Sequence, residues 1–146
     1  AAGSLGPGRT LRRTSMGELQ LPSASITLRI PFNDVDPMQV VWHGNYFRYM
    51  EQVRCELLRQ IDYGYREMEA SGFAWPIIDT RMKYIAPLLF DQLVRVEARI
   101  SEYENRLRID YEFFDVASGA RTSNCACCLT PAHGRRIPGA RALAGD

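Results

Sequence analysis

The clearest pattern in the chain is an apolar period of three to four residues between positions 45 and 61. Apolar residues fall on one side of a helix, and arginine and glutamate fill the other sides. Neither Gly nor Pro interrupts the run, so we predict one continuous α-helix about 25 Å long at 1.5 Å per residue. The apolar positions are Tyr46, Met50, Val53, Leu57 and Ile61.

Alternating apolar and polar residues elsewhere predict strands, each with one apolar face. The predicted strands cover residues 26–32, 78–84, 94–101, 107–113 and 120–130, with a short helical patch at 65–72. One-faced strands joined by short turns favour antiparallel pairing, because parallel strands need long crossovers and are apolar on both faces. We therefore predict an α+β fold in which a five-stranded antiparallel sheet curls around one long central helix.

Composition limits the number of domains and the kinds of partner. The chain has 146 residues, 46% of them hydrophobic and 24% charged, which suits one globular domain. We predict a flexible N-terminal arm over 1–24, the domain over 25–131 and a flexible tail over 132–146. A net charge of +1 gives no field to attract nucleic acid, and no apolar run reaches the roughly 20 residues of a membrane span. We expect a cytoplasmic protein.

Four cysteines occur, three of them close together in Cys125-Ala-Cys-Cys. This is neither the dispersed pattern of a disulfide framework nor the paired spacing of a structural zinc site. Residues two apart on a strand share a face, so Cys125 and Cys127 are expected to point to one side and Cys128 to the other. We predict small buried thiols in a reducing cytosol and no bound metal or cofactor.

The connector before the helix, DVDPMQVVWHGNYF from Asp34 to Phe47, carries the candidate chemistry. The first N–H groups of a helix lack internal acceptors and favour negative charge, so amides near His43, Gly44 and Asn45 are candidate donors to an oxyanion. Gly44 would let a substrate approach the backbone closely. Asp36 is a candidate nucleophile or general base for acyl transfer. The same residues also suit a plain turn in which Asp36 bonds local amides.

The run from Asp34 to Glu51, DVDPMQVVWHGNYFRYME, resembles the signature of hot-dog-fold acyl-CoA thioesterases of the 4-hydroxybenzoyl-CoA and Tol-Pal-associated classes. A second block, MKYIAPLLFDQLVRV from Met82 to Val96, resembles the family's later strand-turn-strand segment. The resemblance covers roughly residues 25 to 131. This chain departs from the family at Met38 and Gln39, where small residues or glycine are frequent, and this bears on acyl-pocket shape.

The resemblance implies a hydrolase that converts acyl-CoA to free acid and CoA. It implies that Asp36 is the catalytic carboxylate, that the amide of His43 is an oxyanion donor, and that subunits pair as a homodimer or homotetramer with sites at their interface. The imidazole of His43 has two readings, as an orienting group or as a helix-entry side chain whose amide alone acts. Two alternatives stay open: a non-catalytic acyl-CoA-binding or scaffold protein, and an acyl-thioester dehydratase.

Overall fold

The computed structural model describes residues 12–13, 19–62, 70, 73–102, 106–130 and 132–133. Its elements include the α-helix α1 (Asn45–Gln60) and a 3₁₀ turn over Phe32–Asp34. The strands are β1 (Arg12–Arg13), β2 (Leu19–Gln20), β3 (Ser23–Arg29), β4 (Phe73–Ala74), β5 (Ile77–Tyr84), β6 (Leu93–Glu102), β7 (Leu107–Asp115), β8 (Arg121–Leu129) and β9 (Ala132–His133).

Five of the strands form one antiparallel sheet in the order β3-β6-β7-β8-β5. The predicted antiparallel α+β architecture is therefore confirmed. The first strand of this sheet after the helix, β5, lies at one edge of the sheet, and β3 lies at the other. Two further antiparallel pairs, β1 with β2 and β4 with β9, lie outside this sheet.

The helix covers the inner face of the sheet with the stripe predicted from its period. Six of its side chains are buried: Tyr46, Tyr49, Met50, Val53, Leu57 and Leu58. The facing sheet residues Val94, Val96, Ile109 and Phe113 are fully buried. Complete burial of such a side chain is worth about 1.5–3 kcal/mol, so this shared core fixes the position of the helix against the sheet.

Element ends differ from prediction by a few residues. The strand predicted over residues 26–32 is β3. It ends at Arg29 because the chain turns at Pro31 into the 3₁₀ turn. The helix ends at Gln60, and Ile61 is its C-cap. The helical patch predicted at 65–72 lies, except for residue 70, outside the described residues.

The predicted arm contains two short strands, and the predicted tail contains one. β1 and β2 pair within residues 1–24, and β3 begins at Ser23, two residues before the predicted domain start. β9 lies in the predicted tail and pairs with β4. The division of the chain into arm, domain and tail remains a prediction.

Candidate active site

The connector before the helix is an ordered hairpin. Val35 and Val41 form an antiparallel bridge, the Asp36 N–H donates to the Val40 carbonyl at 2.8 Å, and the Gln39 N–H donates to the Asp36 carbonyl at 2.8 Å. Gln39 adopts a left-handed conformation with φ of 66°, which explains why glycine suits this position. A turn built on Asp36-Pro37 thus leads back towards the helix.

Asp36 is half-buried at this turn. Its Oδ1 atom accepts a hydrogen bond from the Met38 N–H at 2.8 Å, so the local, turn-forming role is real. No residue in the described part of the chain donates to its Oδ2 atom. The carboxylate therefore has one oxygen that holds the turn and one that is open to a ligand.

Asp34, two residues earlier, has a different environment. Its side chain is only 4% exposed, and its carboxylate accepts hydrogen bonds from Tyr49 Oη at 2.5 Å and from the Arg48 guanidinium. Its carbonyl accepts the Trp42 N–H at 3.0 Å and the Asn45 Nδ2 at 2.9 Å. Asp34 thus joins the start of the hairpin to both its end and the first two turns of α1.

The pKa of Asp34 reflects this network. Burial alone raises the pKa of the carboxyl, but the hydrogen bonds from Tyr49 and Arg48 and the guanidinium charge outweigh burial and hold it below its usual value. Burial, and next the hydrogen bond to Asp34 and the charge of its carboxylate, raise the pKa of Tyr49 above its ordinary value. Asp34 is therefore an ionised structural anchor.

Gly44 is the N-cap of α1, and its backbone is already helical with φ of −69° and ψ of −24°. A Cβ placed on Gly44 would lie 2.3 Å from the Trp42 ring, so a side chain here would displace the indole. The close approach that glycine permits is thus made by a side chain of the chain itself.

The three candidate amide donors are not equivalent. The Asn45 N–H already donates to the Trp42 carbonyl at 2.9 Å, and the Asn45 side chain is held by Asp34. For the His43 and Gly44 N–H groups, no acceptor occurs among the described residues. The imidazole of His43 is exposed and lies 5.1 Å from the Trp42 ring, centroid to centroid.

Sequence reasoning missed two residues at this joint. The partners of Asp34, Arg48 and Tyr49, lie 14 and 15 residues away, so no local pattern indicates these bonds. Tyr84 ends the predicted strand 78–84, and its hydroxyl donates to the His43 carbonyl at 3.1 Å. The structure therefore joins Asp34, not Asp36, directly to the helix, and it brings β5 to the helix start.

Three of the four cysteines lie on β8, and Cys55 lies on α1. Cys125 and Cys127 belong to the core between sheet and helix, as predicted from their spacing, and their sulfurs are 3.8 Å apart. The hydrogen bond to Cys127 and burial both raise the pKa of Cys125. Among the residues that the structure describes, no three potential metal ligands come together.

Two basic residues near the start of β7 are already paired. Arg106 contacts Glu102 and Arg108 contacts Asp110, each at 3.1 Å.

The thioesterase-like superfamily model matches residues 30–137. A protein of Aquifex aeolicus (strain VF5) is 29% identical over 102 residues, covering 66% of this chain and 79% of that protein. The acyl-CoA thioester hydrolase YbgC of Escherichia coli O6:H1 is 26% identical over 74 residues, 51% of this chain and 55% of its own length. The chain thus spans about half of the Escherichia coli relative.

Among solved structures, 4-hydroxybenzoyl-CoA thioesterase from Pseudomonas sp. strain CBS-3 matches with a TM-score of 0.69 at 18% identity. The match covers 78% of this chain and 87% of that one. At this identity the likeness establishes the fold, and the predicted hot-dog fold is confirmed.

The chain belongs to the thioesterase-like superfamily, whose model covers most of its length. The resemblance stated from the Asp34–Glu51 motif is confirmed, and so is the prediction of an enzyme of the thioesterase class. In the described part of the chain, no helix has the length and apolar character needed to cross a membrane.

Proposed function

We propose that this protein hydrolyses an acyl-CoA thioester to the free acid and CoA, with Asp36 as the catalytic carboxylate. One observation carries the proposal: a half-buried carboxylate with an open oxygen and two amides without acceptors among the described residues occur on one ordered connector of nine residues, 36–44. A carboxylate and convergent amide donors are what acyl transfer requires.

Two chemical roles for Asp36 fit this arrangement. As general base, its Oδ2 takes a proton from water while the water oxygen bonds to the thioester carbon, and the C–S bond then breaks to release CoA thiolate. As nucleophile, Oδ2 itself bonds to that carbon, CoA leaves, and water hydrolyses the mixed anhydride. Both roles need the acyl carbon beside the same oxygen.

The amides of His43 and Gly44 are the proposed oxyanion donors. The N-terminal end of a helix favours negative charge, and donors at this position stabilise the tetrahedral intermediate more than the ground-state carbonyl. The exposed imidazole of His43, tilted at 51° to the Trp42 ring, favours a role for His43 through its main chain. Asn45 contributes indirectly, because its side chain and amide fix the loop.

The test is Asp36→Asn, assayed by thiol release from a panel of acyl-CoAs. Turnover should fall about 10²- to 10⁴-fold, the range of a positioned acid or base. The fold should persist, because the asparagine oxygen can still accept the Met38 N–H. Asp62→Asn is the matched control, since Asp62 is exposed with φ of 55°, a conformation that asparagine tolerates. Full activity in Asp36→Asn would overturn the proposed role.

A single turnover in H₂¹⁸O tests for the nucleophilic role. ¹⁸O in the Asp36 carboxylate would establish a mixed anhydride that water opens at Cγ of Asp36, because a general base leaves ¹⁸O only in the acid product. The same product analysis tests the alternatives: a binding protein shows thermal stabilisation by acyl-CoA without thiol release, and a dehydratase or hydratase keeps the thioester intact.

We also propose that the protein acts as a homo-oligomer, dimer or tetramer, with a second copy beside strand β5. This strand is the sheet edge next to the candidate site, and its Ile77 and Ile78 are 47% and 58% exposed. An exposed apolar edge strand is a template for pairing with another chain. A cytoplasmic location is supported by the four free cysteines.

A further inference from the structure

Tyr84 connects the edge strand to the helix start. It is the last residue of β5, and its hydroxyl donates to the carbonyl of His43, 41 residues earlier, at 3.1 Å. The contact joins two segments that are not neighbours in the sheet. It falls on a residue whose amide is a proposed oxyanion donor.

The consequence lies in the two peptide planes that flank His43. The first carries the Trp42 carbonyl, held by the Asn45 N–H at 2.9 Å, and the N–H of His43. The second carries the His43 carbonyl, held by Tyr84, and the N–H of Gly44. Both peptides are trans, so each N–H points opposite to its carbonyl. Holding the carbonyls therefore fixes the direction of both open amides.

The hydrogen bond also strengthens a donor. A carbonyl that accepts a hydrogen bond polarises its own peptide unit, which makes the N–H of that unit a better donor. Tyr84 acts in this way on the peptide that carries the Gly44 amide.

The ring of Tyr84 is well held although 46% of the residue is exposed. It meets the ring of Tyr46 edge-on, with centroids 5.0 Å apart and planes at 84°. Tyr46 is itself buried and packs on Phe113 at 5.3 Å. Immediately after Tyr84, the N–H groups of Ile85 and Ala86 both donate to the Thr122 carbonyl, at 2.9 and 2.8 Å.

The hydroxyl keeps its proton. Partial burial, and next the nearby Cys125, raise the pKa of Tyr84 above its ordinary value. The group is thus a donor at neutral pH and not an acid or base in the reaction.

We propose that Tyr84 is a positioning residue for the oxyanion-binding amides, because its hydroxyl holds the His43 carbonyl and so orients the Gly44 N–H. This rests on the proposed thioesterase function. The Tyr84 hydroxyl makes the positioning contact, and the packed ring holds the hydroxyl in place.

Tyr84→Phe removes the hydroxyl and keeps the ring contact with Tyr46. We expect kcat to fall about 10-fold with KM within about 2-fold, a smaller loss than the roughly 10²- to 10³-fold that accompanies removal of an oxyanion donor itself. The pH profile should keep its shape. Tyr46→Phe is the matched control, because it removes a hydroxyl from the other ring of the same pair; its kcat should stay within about 2-fold of the wild type.

A spectroscopic measurement distinguishes positioning from loosened packing. An acyl-CoA ketone analogue, with CH₂ in place of the thioester sulfur and a ¹³C-labelled carbonyl, reports polarisation through its infrared stretch. We expect a shift to lower frequency on binding to the wild type and Tyr46→Phe, and a smaller shift in Tyr84→Phe. Equal shifts and equal kcat in all three proteins would overturn the role of Tyr84. No thiol release and no shift in the wild type would instead overturn the proposed function.

Discussion

Two aspartates two residues apart have separate tasks at the residue scale. Asp34 is buried, ionised and bonded to Arg48 and Tyr49, whereas Asp36 is half-buried and bonded only to its own turn among the described residues. The difference arises because Asp34 lies beside the helix and Asp36 lies at the tip of the hairpin. The sequence motif contains both residues and does not separate these environments.

Gly44 gives a prediction at the same scale. Gly44→Ala should destabilise the protein by about 1 kcal/mol, because the new Cβ would lie 2.3 Å from the Trp42 ring and the indole must move. In a Trp42→Ala background the same change should be neutral or stabilising, since Gly44 has φ of −69° and ψ of −24°, which alanine adopts without strain and with less freedom in the unfolded chain. Chemical denaturation of the four proteins measures the coupling. Equal destabilisation in both backgrounds would contradict the steric explanation.

At the scale of elements, the hairpin and α1 behave as one joined unit. Asp34 contributes bonds from its carboxylate to Arg48 and Tyr49 and from its carbonyl to Trp42 and Asn45. The helix itself is held by its apolar stripe on the sheet. The joint therefore transmits the fixed position of the helix to the connector that carries Asp36.

Asp34→Asn tests this joint. The change leaves Tyr49 and Arg48 without a charged acceptor, so the free energy of unfolding should fall by about 1–3 kcal/mol. Asp91→Asn is the control, because its carboxylate makes an exposed pair with Arg29 at 3.5 Å, and exposed pairs contribute about 0–1 kcal/mol. Equal stability of Asp34→Asn and the wild type would show that the network does not hold the joint.

The same carboxylate predicts a pH dependence. The pKa of Asp34 is lower in the folded protein than in the unfolded chain, so its stabilisation is complete above the unfolded value of about 3.9 and is lost as pH falls through the folded value. Below about pH 4 the wild type should therefore lose stability more steeply than Asp34→Asn. Denaturation series from pH 7 to 3 measure the two slopes, and parallel curves would contradict the assignment.

At the scale of the whole molecule, the feature of interest is the edge strand β5 of the sheet. The free edge of β5 carries exposed Ile77 and Ile78, and the β5 register shifts at this point against β8. Its other end, at Tyr84, reaches the candidate site. A second copy paired along β5 would therefore lie next to the hairpin of the first.

Sedimentation tests that arrangement. Ile78→Lys places a charge on the free edge, a change that disfavours edge pairing, and should shift the protein towards monomer with a loss of activity. Val116→Lys is the control, since Val116 is a comparably exposed apolar residue, at 43%, in the β7–β8 turn. A wild type that sediments as monomer throughout the micromolar range would contradict the proposed homo-oligomer.

The sequence by itself determined the elements and their faces. The period of α1 identified its buried stripe, and the alternation of β6 and β7 separated core residues such as Val96 and Phe113 from the charged outer face. These patterns are readable because each element buries one face, and burial depends on spacing along the chain. The motif around Asp36 and Gly44 likewise identified the family.

Only the tertiary structure decided which segments meet. Strand order pairs residues as distant in sequence as Ser23 and Arg99. The bonds of Asp34 to the helix and the contact of Tyr84 with His43 join residues from 14 to 41 positions apart. No local period encodes such contacts, because they depend on how the sheet curls and where its edge strand ends. The amides available at the helix start follow from those contacts, so the working shape of the site is a property of the folded chain.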